Sequence, residues 1–157
     1  MLWATGLPGS LLIARADQLT SLSDILETSA PGVASNHVIE FGTPTGVPAD
    51  GSTIVITMPT GFSMGSVGED DIDIDDDGVD LTTDTVCGAV NAAVSVLGQD
   101  ITIEICNAGG GAIAAASTVT IEIGDNATAS GTGANKVTNH TSKGEYELEV
   151  GGTMADA

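Results

Sequence analysis

The sequence predicts an all-β fold, an antiparallel β-sandwich of about seven or eight strands preceded by an N-terminal arm. Three observations carry this. Short runs of alternating apolar and polar residues recur from Asn36 onward, separated by Gly, Pro, Asn and Asp. Val, Ile and Thr are abundant beside 21 Gly, while aromatic residues make up only 3% of the chain, which is the small, β-branched composition of stacked sheets. No run after Asn36 requires a long helix.

In chain order, His37 to Phe41 alternates as a strand, and Gly42 to Gly51 is the Gly- and Pro-rich connection after it. Ser52 to Met58 follows and stops at Pro59. Asp71-Ile72-Asp73-Ile74-Asp75 has period two, so Ile72 and Ile74 are expected inside and the carboxylates in water. Further strands are expected at Ala92 to Leu97, Ile101 to Cys106, Ser117 to Ile123 and Glu145 to Val150, with Val119, Ile121, Ile123, Tyr146, Leu148 and Val150 facing the core. Before Asn36 the residues Leu12, Ala16, Leu19, Leu22 and Leu26 have helical spacing, but Ser and Thr dilute it, and an extended arm with a strand near Ser23 to Thr28 is preferred. The division is therefore an arm over 1–20 and a sandwich over 21–157. Gly109-Gly110-Gly111 and Ala129 to Gly133 read as low-complexity loops.

Charge narrows the function. The 157 residues hold 22 Asp or Glu against Arg15, Lys136 and Lys143, a net charge of −19. Three cations cannot form the basic face that a nucleic acid needs, so no nucleic-acid partner is expected. Hydrophobic residues make up 41% of the chain, enough for a core despite the charge. Met1 to Ala16 is apolar and ends in Ala14-Arg15-Ala16, the small-x-small pattern of a signal-peptidase site. No cation precedes its apolar run and Pro8-Gly9 interrupts it, so the segment reads equally as a cleaved signal or as a retained arm presenting Leu2, Leu7, Leu11, Leu12 and Ile13. It is too short to span a membrane. Cys87 and Cys106, the two cysteines, are expected to form a disulfide at the open end of a hairpin.

The acidic block Glu69 to Asp84 offers one site. Asp73-x-Asp75-x-Asp77-Gly78, with Asp84 as closing ligand, has the carboxylate spacing of a turn wrapping calcium. The competing reading is a solvated strand face followed by an Asp-Gly hairpin turn. His37 and His140 lack any sequence-evident nucleophile, so no enzymatic activity is expected. Asn126-Ala127-Thr128 and Asn139-His140-Thr141 match the glycosylation triplet and read as exposed loops.

The segments Ser21 to Phe41, Ser117 to Thr128 and Asn135 to Val150 resemble uncharacterised exported β-sandwich modules in surface proteins of ultra-small candidate-phyla bacteria. The shared pattern includes SDxL and SNH near the start and IGxNA, TN and GxY near the end. The resemblance implies an Ig-like domain with an extracellular structural role and no activity. Together with the apolar arm, it leads to the expectation of an extracellular subunit that polymerises with copies of itself into a filament, pilus or layer. A calcium-dependent adhesion or ligand-binding module is the alternative.

Overall fold

The computed structural model describes residues 18–156, and these form an all-β sandwich. The strands are β1 (Thr20–Leu26), β2 (Ala34–Ser35), β3 (His37–Thr43), β4 (Thr53–Thr57), β5 (Ile72–Asp76), β6 (Val79–Leu81), β7 (Thr83–Asp84), β8 (Ala92–Leu97), β9 (Asp100–Ile105), β10 (Ser117–Ile123), β11 (Val137–Thr138) and β12 (Glu149–Gly152). One five-stranded sheet has the order β1-β3-β10-β5-β6, a second has β12-β4-β9-β8-β7, and β11 pairs with β2 in a small ribbon. Segments of two to four residues, including β2, β6, β7, β11 and β12, raise the count above the seven or eight expected.

The period-two pattern does the packing. In the first sheet Ile121 lies between Ile39 and Ile74, and in the second Ile103 lies between Ile54 and Val94. These rows face each other, and Ile39, Ile54, Ile74, Ile103 and Ile121 have no solvent exposure. Burying each such side chain contributes roughly 1.5–3 kcal/mol. Two-residue turns fix register at two hairpins. Asp77 and Gly78 join β5 to β6 with φ of 52° and 77°, the left-handed pair that the Asp-Gly sequence supplies. Gly98, at φ 65°, turns β8 into β9.

Cys87 and Cys106 form a disulfide across 19 positions. Cys106 is buried directly after β9 and Cys87 is exposed before β8, as the hairpin reading anticipates. In the loop after Cys106, two of the three consecutive glycines, Gly109 and Gly111, are packing requirements. A Cβ on Gly109 would lie 1.7 Å from the Val90 carbonyl oxygen, and one on Gly111 would lie 2.6 Å from the Asn91 Cβ.

Several expectations are corrected. The last strand is β12, which begins four residues later than expected and ends two residues later. Tyr146 is exposed rather than in the core, while Leu148 and Val150 pack only partly against it. Asp71 and Asp73 are buried instead of facing water, at 2% and 3% exposure, because the chain after β10 folds over them. Asn139 is likewise buried, with its Nδ2 donating to the carbonyls of Thr28 and Ala30, so its triplet does not mark an exposed loop. The arm residues Leu2, Leu7, Leu11, Leu12 and Ile13 lie outside the described residues.

Candidate functional site

The structure distributes the acidic block among separate tasks. Asp73 accepts the amide N–H groups of Ala129 and Ser130 at 2.5 and 2.9 Å. Asp75 accepts that of Gly78, Asp77 that of Thr118, and Asp84 that of Thr85. Asp84 sits in β7 of the second sheet, whereas Asp73 and Asp75 lie on β5 of the first. The four carboxylates proposed for calcium are thus not brought to one point, and among the described residues no group of three or more His, Cys, Asp or Glu is placed to hold a metal. The Asp77-Gly78 hairpin fits the competing reading, but the water-facing half of that reading holds only beyond Asp73.

Asp71 is the anchor of this region. Its carboxylate accepts N–H groups from Gly68, Ala134 and Asn135 and from the Asn135 side chain, at 2.7–3.0 Å. Burial opposes its charge, yet these donors outweigh burial and hold its pKa below the ordinary value. Carboxylates also crowd the outer face of the first sheet. Burial first, and then the charges of Asp73 and Asp75, push Asp80 and Glu122 above the ordinary range.

The second constellation is a cleft of about 400 Å³ on the side of the sandwich where the edge strands β1 and β12 lie. Its walls include Asp24 and Leu26 of β1, Met58 and Phe62 after β4, and His140, Lys143, Tyr146 and Leu148 from the chain leading into β12. Antiparallel pairing of β1 with β3 sets Asp24 opposite Ile39 and Leu26 opposite His37, placing Asp24 one diagonal step from the histidine. The carboxylate reaches His37 Nδ1 at 2.8 Å. Carboxylate oxygens only accept, so Nδ1 carries a proton. His37 is 1% exposed, and its Nε2 has no hydrogen-bond partner among the described residues.

Four rings pack at this end. Phe62 meets His37 and Tyr146 edge-on, at centroid distances of 6.4 and 5.3 Å, and Tyr146 stacks on His140 at 4.6 Å. His140 Nδ1 accepts the Ser142 amide at 2.9 Å, and the Tyr146 hydroxyl donates to the Ser142 carbonyl at 2.8 Å. Gly61 makes room for the ring: a Cβ there would lie 2.2 Å from His140 Cδ2. The sequence placed His37 in a strand and His140 in a loop. The Asp24 pairing spans 13 positions and the ring cluster draws on three chain segments, so spacing alone gave no signal for either.

The cleft offers apolar and aromatic walls, one carboxylate and one ammonium, a set suited to holding an extended peptide. Among the described residues, no serine, threonine or cysteine makes a hydrogen bond to His37 Nε2. No family model, curated protein or solved structure matches the chain. Among the described residues, no helix is long and apolar enough to cross a membrane.

Proposed function

We propose that this chain is an extracellular structural subunit that assembles with copies of itself into a surface filament, pilus or layer. The observation that carries the reading is the outer edge of β1, which has no partner strand among the described residues. Of the four outer strands of the two five-stranded sheets, β6 has three residues, β7 two and β12 four, whereas β1 has seven. Leu22 and Ile25 stand on it at 45% and 64% exposure. An unpaired strand is a template for another chain, and natural edges are commonly blunted by lysine, proline or short length. β1 contains neither residue, and its bulge is confined to the stretch between Thr20 and Ser23, leaving Ser23 to Leu26 in regular register.

The disulfide supports export, because such bonds persist in oxidising compartments. The resemblance to exported surface modules points the same way. Assembly has to overcome the repulsion of a strongly acidic body, so it should strengthen with added salt. Light scattering on the full-length protein and on Ile25→Lys tests the edge. Polymers of the parent that the variant does not form support it; equal polymerisation of both excludes the β1 edge as the joint.

A further inference from the structure

We propose that the cleft between β1 and β12 receives residues 11–15 of a second copy's arm, so that subunits join head to tail. This rests on the self-assembly reading and specifies its joint. The described chain enters at Gln18, next to the Thr20 end of β1, whereas the cleft is lined by Asp24 and Leu26 at the strand's other end. Six strand steps separate those ends by about 20 Å. An arm leaving one end and a receptor opening near the other make a heterologous contact, which repeats along a line unless a rotation closes it.

The chemistry of the two parts matches. Residues 1–16 carry one cation, Arg15, and no acid, while the remainder carries all 22 acids and only Lys136 and Lys143 as cations. The arm is therefore the one segment that an acidic body attracts. Leu11, Leu12 and Ile13 supply aliphatic side chains for Leu26, Met58, Phe62 and Leu148, and Arg15 supplies a guanidinium for the Asp24 carboxylate. A cavity of about 400 Å³ is within the range that encloses small ligands and short peptide side chains. The outer edge of β1 beside it, unpaired among the described residues, offers main-chain hydrogen bonds to an added strand.

Length favours a second copy over the same one. Seventeen residues reach about 55 Å when extended, enough to leave their own sandwich. Doubling back onto β1 would require a reversal within Ala16-Asp17-Gln18-Leu19, in which Asp17 is the one residue that favours a turn. Leu19 also packs against the subunit's own core, which commits the chain at that point.

The test uses the full-length chain and cleft-filling variants. Ser29 is exposed and lines the cleft, so Ser29→Trp should fill it without disturbing the core, and Lys143→Trp is a second such position. Leu97→Trp, at the exposed β8–β9 turn, is the control. Both cleft variants should need at least about a tenfold higher protein concentration to polymerise, with Leu97→Trp behaving as the parent and Arg15→Glu weakened in the same direction. A synthetic peptide of residues 2–16 should inhibit the parent. Ser29→Trp mixed with a chain lacking residues 1–16, which retains both sheets and the core, should give one-to-one heterodimers that grow no further. Parent-like polymers from both cleft variants, or no heterodimer in the mixture, would overturn this joint while leaving self-assembly intact. A parent that stays monomeric at all salt and protein concentrations would overturn the self-assembly reading and the joint with it.

Discussion

Asn135 is bound to Asp71 twice, through its backbone N–H at 2.7 Å and its side-chain Nδ2 at 3.0 Å. The acidic block and the glycine-rich loop after β10, which look unrelated in the sequence, are thereby one structural unit. The Asp70 carbonyl extends the contact by accepting the N–H groups of Thr132 and Gly133. Gly131 lies so close to that carbonyl that a Cβ would come within 2.1 Å of it.

Replacing Asp71 with Ala leaves buried donors without an acceptor. Hydrogen bonds to a charged group contribute about 1.5–3 kcal/mol each, and orphaned donors add their desolvation cost. Asp71→Ala should destabilise the domain by about 3 kcal/mol or more in urea titrations, and Asp71→Asn by less. A loss comparable to that of an ordinary surface substitution would show that this anchor is dispensable.

The titrating carboxylates divide by sign. Asp71 has a lowered folded pKa, as do Glu27 and Asp125, which bond first to Lys136. Their contributions are present above the unfolded values near 4 and are lost as pH falls through the folded ones. Asp80 and Glu122 have raised folded pKa values, so the native state binds more protons than the unfolded state in that window and stability falls as pH rises through it. Asp80→Asn with Glu122→Gln should therefore raise the melting temperature at neutral pH, with a gain that fades in acid. A gain independent of pH would contradict this assignment.

Neighbouring glycines should respond in opposite degrees. Gly109→Ala drives a methyl group into the Val90 carbonyl, whereas Gly110, at φ 69°, has nothing within 4 Å of its added Cβ. The second change should cost about 1–2 kcal/mol, from backbone conformation alone. The first should cost clearly more, read from chemical denaturation of both variants.

Closing 19 positions with the Cys87–Cys106 bond should contribute about 3 kcal/mol in the chain-entropy model. A double Cys→Ser variant should lose that stability while keeping its β-sheet circular dichroism. Free thiols in the unreduced native protein would contradict the bond.

The sheets were legible because Ile and Val at every second position report the buried face directly, as at Ile72, Ile74, Val119, Ile121 and Ile123. The same rule failed at Asp71 and Asp73. Alternation says which side of a sheet a residue occupies, not whether a loop from 56 residues away covers that side with backbone N–H donors. Glu145 to Leu148 alternates like a strand, but Tyr146 is drawn to His140 and Phe62 instead, and pairing with β4 begins only at Glu149. The Asp24–His37 pair was hidden because it depends on the register of β1 against β3. The disulfide was legible because two cysteines flanking a hairpin leave one pairing.

The central claim is self-assembly, and electron microscopy of purified full-length protein across salt concentrations tests it most directly. Linear polymers, or layers built from them, are expected to lengthen as salt screens the acidic bodies and to be absent when residues 1–16 are removed. Isolated monomers under every condition would contradict that claim, whereas polymers unchanged by that removal would exclude the arm as the joint.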